Sequence, residues 1–364
     1  MPEIIVCGHL CIDLIPGMAH VTQTEMVTPG HLSETGPMIV STGGAVSNTG
    51  LSLHRLGVDV GMMANVGDDL IGQMIVGYLN GRDPRLTRDL CVQPGQASSY
   101  TVVLSPQNAD RMFLHCPGTN DQFGAADVDY ARAGEAKIFH FGYPPLMARL
   151  YADGGRELVQ LLRQVHETGV TTSLDLALPD AVMPSGSAPW ADILANALRY
   201  VDVFVPSIEE ILYMLRPQDY ERWRGDVTAH LTRAYLRSLA GDLLHMGAAV
   251  AGFKLGDKGL FLRSCFDRKR LARMSLDVSA WSGAEVYQPA FDVEVAGTTG
   301  AGDSAYAGLL SAMLRGFGPE ETARWACAVG ACNVEHPDSN SGVLPWADIQ
   351  ARLDAGWPTR VGLV

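Results

Sequence analysis

The chain has 364 residues, 47% hydrophobic and 18% charged, enough to bury a large core as one big α/β domain or two smaller ones. Its formal net charge of −13 argues against nucleic acid or an anionic membrane surface as the main partner. An anionic nucleotide would therefore need local positive dipoles and a metal ion. The seven cysteines (Cys7, Cys11, Cys91, Cys116, Cys265, Cys327 and Cys332) include no Cys-x-x-Cys pair, which suggests neither a disulfide framework nor a zinc site.

The N-terminus lacks a basic region and enters the apolar run Ile4 to Cys7 directly, and no apolar stretch approaches the roughly 18 residues of a membrane span. The expectation is a soluble, cytoplasmic protein. Asp13 follows this first strand and Gly8, in a loop that would face the ligand crevice at the carboxyl end of a parallel strand. The segment 17–40 carries Pro29, Gly30, Gly36 and Pro37 without helical periodicity. It leads into Ser41-Thr42-Gly43-Gly44-Ala45-Val46-Ser47-Asn48, followed by Leu51, Leu53, Leu56 and Gly57. Here a glycine pair opens a helix, Asn48 in its first turn can reach hydroxyl groups, and Gly57 stands at C′.

A strand is predicted over Val58 to Ala64, then a helix over Leu70 to Leu79 with Asp68 as its N-cap. Ser98 to His115 reads as a hairpin, with Tyr100 to Leu104 and Arg111 to Leu114 around a Pro-Gln-Asn-Ala-Asp turn. Asn120, in Pro117-Gly118-Thr119-Asn120, is either an exposed turn residue or a substrate contact. Strands at Lys137 to Phe141, Val170 to Leu176, Val201 to Val205 and Ala248 to Lys254 alternate with helices at Arg156 to Glu167, Ala191 to Leu198 and Ile208 to Leu215. That alternation implies parallel βαβ units and a doubly wound, mostly parallel sheet flanked by helices. The basic run Asp267 to Arg273 reads as a solvated loop face, with a phosphate contact as the other reading.

The most telling segment is Gly297-Thr298-Thr299-Gly300-Ala301-Gly302-Asp303-Ser304, which runs into the apolar helical stretch Ala305 to Leu314. Such a turn leaves backbone N–H groups converging at a helix N-terminus, an anion cradle with the Asp303 carboxylate beside it. The plain alternative is a glycine-rich turn with Asp303 as N-cap. No Gly-Lys-Ser/Thr follows, so this is not a Walker loop, and no Gly-x-Gly-x-x-Gly follows the first strand, which argues against a dinucleotide-binding oxidoreductase.

The two glycine motifs together, Gly43 to Gly57 and Thr299 to Asp303, resemble in order and separation those of the ribokinase-like (PfkB) family of sugar and nucleoside kinases. The resemblance implies one kinase domain over 1–364, with a small β-sheet lid over the sugar built from insertions at about 14–40 and 98–120. It implies ATP-dependent phosphorylation of a hydroxyl, a primary one, of a small sugar or sugar acid. Asp303 would be the general base, and the amides of Gly300, Ala301 and Gly302 would receive the developing charge. Asp13, Gly44 and Asn48 match the sugar-binding positions, with Arg111 and Asn120 in or beside the lid.

Lys254-Leu255-Gly256-Asp257-Lys258-Gly259 resembles the family's Thr-x-Gly-x-x-Gly turn near the ATP phosphates, with Lys254 where many members carry threonine. Thr299 belongs to the nucleotide side, and Asn333 either walls the adenine pocket or is a buried polar helix residue. The family's Asn-x-x-Glu element, associated with Mg²⁺ and phosphate, reads Ser207-Ile208-Glu209-Glu210, which keeps Glu210 as a metal contact through water. The motif's usual leading aspartate is Gly297, so a K⁺ ion would lack that side-chain ligand and depend on backbone carbonyls. A nucleoside kinase of the same family and a non-catalytic sugar or nucleotide sensor remain as other readings. A homodimer through the lids is permitted by Met26, Val27, Met38, Ile39 and Val40.

Overall fold

The computed structural model describes residues 1–107 and 112–363. Among these described residues thirteen strands, numbered in chain order, divide between two sheets. The larger contains β1 (Ile4–Gly8), β4 (Val60–Gly67), β5 (Leu90–Gln93), β8 (Ile138–Gly142), β9 (Thr171–Asp175), β10 (Val203–Phe204), β11 (Val250–Lys254), β12 (Leu260–Ser264) and β13 (Glu285–Gln288). Their spatial order is β13-β12-β11-β10-β9-β8-β1-β4-β5. The pairs from β5 across to β11 are parallel, and β12 and β13 close one edge antiparallel.

Continuous apolar strands explain this arrangement, because a parallel sheet is covered on both faces. Ile4, Ile5, Val6 and Cys7 are all buried, with Ile4 and Val6 packed into one core and Ile5 and Cys7 into the other. Helices Ala45–Arg55, Ala301–Leu314 and Pro319–Val334 cover the first face; Arg156–Glu167, Trp190–Ala197, Ile208–Leu215 and Arg233–Met246 cover the second. The chain leaves β1 toward β4 and β5, then returns to lay β8 on β1's other side. That reversal is a topological switch point, where an open α/β sheet has its ligand crevice.

The smaller sheet has the order β3-β2-β6-β7, from β2 (Cys11–Gly17), β3 (Gly36–Gly43), β6 (Tyr100–Leu104) and β7 (Met112–Cys116). The expected hairpin is β6 with β7. The first insertion is more ordered than its sequence suggests, since β2 pairs on both sides, with β3 and with β6. Asp13 therefore lies within a lid strand, opposite Ser41 and Thr101, and not in a loop. A single helical turn, Gln23–Met26, interrupts the proline- and glycine-rich stretch, held by a Thr22/Glu25 capping box. No helix among the described residues is long and apolar enough to cross a membrane.

Two further expectations are corrected. The helix Leu70–Asn80 is capped by Asp69, which accepts from the Gly72 amide at 2.8 Å, whereas Asp68 accepts from Gly95 at 3.0 Å. The basic run is a short helix, Arg268–Arg273, capped by Asp267. Its Arg270 (3.0 Å) and Arg273 (2.5 Å) converge on the fully buried carboxylate of Asp202. Arg270 also donates to the carbonyls of Val201, at 2.7 Å, and Gly247. The run is thus a structural clamp on the far end of the β9–β11 region. Removing both arginines strands the buried Asp202 charge, so the double variant Arg270→Ala/Arg273→Ala should lower unfolding stability by about 3 kcal/mol in urea titration, and Arg270→Ala by less because Arg273 still faces Asp202. A loss under about 0.5 kcal/mol in the double variant, the scale of a plain surface substitution, would contradict the clamp.

Candidate active site

Two helices opened by glycine meet at the switch point. Gly44, at φ +84°, caps Ala45–Arg55, and a Cβ there would lie 2.5 Å from both the carbonyl oxygen and Nδ1 of His9. Gly300, at φ +71°, caps Ala301–Leu314, and a Cβ there would collide with the backbone of Ser339. Both positions need glycine for conformation and for space. The second helix begins at Ala301, earlier than expected, so Gly302 and Asp303 stand in its first turn. The Ala301 amide is spent inside the turn, donating to Thr298 O at 3.2 Å. The amides of Gly300, Gly302 and Asp303 have no acceptor among the described residues.

Asp303 is 2% exposed. Its carboxylate accepts from Asn48 Nδ2 at 3.0 Å, from Thr49 Oγ1 at 3.4 Å, and from the Tyr143 hydroxyl at 2.8 and 2.7 Å. Burial pushes its pKa above the ordinary carboxylate value, opposed by Lys254 and by the bonds from Tyr143, Asn48 and Thr49. Asn48 thus reaches Asp303 itself. Tyr143 escaped the sequence reading. It follows β8 at φ +69°, an uncommon conformation for a residue with a Cβ. The signal available was Gly142-Tyr143-Pro144-Pro145 at the end of a predicted strand.

Beside this cluster, Lys254, the last residue of β11, places Nζ 2.8 and 2.7 Å from the two oxygens of Asp175, the last residue of β9. Burial alone would lower the Lys254 pKa, but Asp175, Glu210 and Asp303 outweigh it and hold the ammonium charged. A Cβ on Gly302 would sit 3.3 Å from Nζ, so the missing side chain lets the ammonium lie against the glycine loop. Asp175 was also missed, although it ends a strand predicted to lie in the same sheet as Lys254. Glu210 is buried, its Oε2 accepting from the Ser207 amide at 2.8 Å in a capping box. Ser207 in place of asparagine therefore serves as a helix cap.

A cavity of about 450 Å³ opens between these elements. Its polar head is Glu210, Lys254, Gly300, Ala301, Gly302 and Asp303; its apolar body includes Leu260, Phe291, Val293, Cys327, Ala331 and Val334, and Gly256 and Gly259 also line it. Asn333 is fully buried and donates to the Thr299 carbonyl at 2.9 Å. Asn333 and Thr299 thus brace the loop to the Pro319–Val334 helix, and neither lines the cavity. At Gly297 a Cβ would come within 2.9 Å of Pro337 Cα, so the backbone as it stands excludes the aspartate usual at that position.

Asp13 faces the glycine pair from the lid, where a Cβ on Gly43 would be 2.5 Å from its Oδ2. Its pKa is raised by burial, against the lowering effects of Cys11 and Thr101. Asn120 is 1% exposed and takes both polar groups of Leu10, accepting from its N–H at 3.2 Å and donating to its carbonyl at 3.0 Å. It is a brace of the β1–β2 hinge and not an exposed turn residue. Arg111 lies outside the described residues.

A family model described as pfkB family carbohydrate kinase matches residues 1–347. The chain belongs to this family of carbohydrate kinases. Among relatives of this pfkB-family chain is an uncharacterized sugar kinase of Archaeoglobus fulgidus, 22% identical over 80% of this chain and 98% of that one. Another is the 2-dehydro-3-deoxygluconokinase of Bacillus subtilis, 22% identical over 86% and 87%. The fold is shared with a fructokinase from Xylella fastidiosa, solved with bound ATP, at a TM-score of 0.73 and 18% identity over 98% and 99% of the two chains.

Lys254→Met would leave Asp175 buried without its counter-ion, at a cost of about 3–5 kcal/mol. The double variant Lys254→Met/Asp175→Asn should recover much of the loss, because the charge is removed along with its partner. Equal losses in the single and double variants, by urea unfolding, would contradict a coupled pair.

Proposed function

We propose that this pfkB-family kinase transfers the γ-phosphoryl group of MgATP to a hydroxyl, a primary one, of a small sugar or sugar acid. The observation that carries this reading is a buried carboxylate, Asp303, at the polar head of a cavity and in the first turn of a helix where the amides of Gly300, Gly302 and Asp303 have no acceptor among the described residues. The acceptor hydroxyl lies between the lid and Asp303, gives up its proton to that carboxylate and attacks the γ-phosphorus as the bond from that phosphorus to the β–γ bridging oxygen breaks and ADP leaves. The amides of Gly300, Gly302 and Asp303, with the helix dipole, receive charge on the transferring group. Lys254 adds a fixed positive charge beside the same loop. The adenine occupies the apolar body of the cavity, and Asp13 and the Gly43-Gly44 backbone bind the sugar from the lid side.

Mg²⁺ arrives as part of the nucleotide substrate. The donor chemistry fits, since Mg²⁺ at phosphates takes one or two carboxylates and keeps several waters, and Glu210 is a carboxylate of the cavity. When bound, the ion neutralises the β- and γ-phosphate oxygens. The four-stranded lid excludes water from the reacting groups and so limits unproductive ATP hydrolysis.

An ADP-release assay over sugars, sugar acids and nucleosides tests the reading; strong stimulation by a sugar or sugar acid is expected, and stimulation only by nucleosides, or by nothing, would overturn it. Asp303→Asn should cut kcat by about 10²–10⁴-fold with the far-UV circular dichroism unchanged, and near-normal turnover would remove the base from the mechanism. A base acts ionised and the Asp303 pKa is raised. Activity should accordingly be present above that raised pKa and fall as pH drops through it, above the ordinary value of 3.8. Tyr143→Phe removes a hydrogen bond that favours the ionised carboxylate, so the acid limb of kcat/KM should move to higher pH. An unmoved limb would show that Tyr143 does not tune the base.

A further inference from the structure

The turn from β1 into the lid strand β2 places His9 where core and lid join. His9 is 2% exposed, and neither ring nitrogen has a hydrogen-bond partner among the described residues. A buried donor or acceptor left unpaired costs about 1–3 kcal/mol, and buried polar groups are otherwise almost always satisfied. Leucine or phenylalanine would fill the space without that cost.

The surroundings of the ring say what it is for. Its Nδ1 abuts Gly44, one of the glycines assigned above to the sugar, where a Cβ would be 2.5 Å away. The ring centroid is 6.3 Å from that of Tyr143, whose hydroxyl holds Asp303, and 5.6 Å from that of His115 on lid strand β7. His115 already has a partner, its Nδ1 lying 3.0 Å from Thr101 Oγ1. A further buried histidine, His140, differs in kind, because its Nδ1 meets Ser173 at 2.9 Å and its ring packs on Tyr306 deep in the sheet. Among the described residues, His9 alone brings two ring nitrogens without a partner to the junction of glycine pair, lid and base.

Burial, with a smaller contribution from His115, lowers the His9 pKa to about 3. A neutral imidazole offers one donor and one acceptor, the complement of sugar hydroxyls, which both accept and donate. Asp13, across the glycine pair, is a carboxylate that opposes a second negative charge at this end.

We propose that His9 is a specificity residue that hydrogen-bonds a hydroxyl of the acceptor, and that with Asp13 it selects an uncharged sugar over a sugar acid. This rests on the kinase reading above and narrows its substrate class. The test takes the neutral sugar turned over best and its C-oxidised acid, and measures kcat and KM for sugar and for ATP in the wild type, His9→Ala, His9→Asn and His9→Gln. The expected result is an about tenfold rise in sugar KM for His9→Ala, with kcat and the ATP KM nearly unchanged. The asparagine variant, which mimics Nδ1, or the glutamine variant, which mimics Nε2, should restore most of the loss and so name the nitrogen. The wild type should prefer the neutral sugar.

An unaltered sugar KM in His9→Ala overturns the proposal, as does a wild-type preference for the acid. A loss that neither amide variant recovers assigns His9 to packing and overturns it equally. A wild type that turns over a sugar acid and no neutral sugar overturns this inference alone, whereas one that turns over neither sugars nor sugar acids overturns the kinase reading, and this inference with it.

Discussion

The site is organised around one buried negative charge. The Asp303 carboxylate is withdrawn from water and compensated by Asn48, Thr49 and Tyr143, because an isolated buried carboxylate would be far too costly. These partners come from different parts of the chain, Asn48 lying 255 and Tyr143 160 positions from Asp303. The charge therefore pins the first helix after the lid, the end of β8 and the helix Ala301–Leu314 to one point. That point falls at the reversal of strand order between β1 and β8, where parallel strands deliver their following loops.

Much else in the molecule serves the same close approach. Gly44 and Gly300 take positive φ angles and leave no room for a side chain, and Gly43 and Gly302 leave space for Asp13 and Lys254. Lys254 places a permanent positive charge beside the glycine loop, and Asp175 holds it there across the ends of β9 and β11. The same strategy recurs at the opposite end of these strands, where Arg270 and Arg273 compensate Asp202. The lid hinges on the residues just before this cluster, with Asn120 fastening the Leu10 backbone.

Local features of the chain were legible in its sequence. Helices Arg156–Glu167 and Ile208–Leu215 begin and end where apolar periodicity places them, and β6 and β7 form the expected hairpin. The two glycine motifs also led to Asp303, since positive φ and helix opening are encoded within a few residues. What stayed hidden depends on pairing across the sheet. Asp175 becomes a partner of Lys254 only because β9 and β11 flank β10. Tyr143 matters only because β8 returns beside β1, and Asn120 reads as a turn residue until Leu10 is seen behind it. The Arg268–Arg273 run looked solvated because Asp202, its reason for being there, lies 68 and 71 positions away from Arg270 and Arg273.

The central claim is that Asp303 is the base and that the free amides at the start of its helix hold the transferring phosphoryl group. A crystal structure with the preferred sugar, Mg²⁺, ADP and aluminium fluoride addresses it most directly, because the fluoride stands in for that group in flight. The account predicts the fluoride within hydrogen-bonding distance of the Gly300, Gly302 and Asp303 amides, and one sugar hydroxyl between it and the Asp303 carboxylate. A sugar whose reacting hydroxyl faces away from Asp303, or a fluoride seated elsewhere, would contradict it.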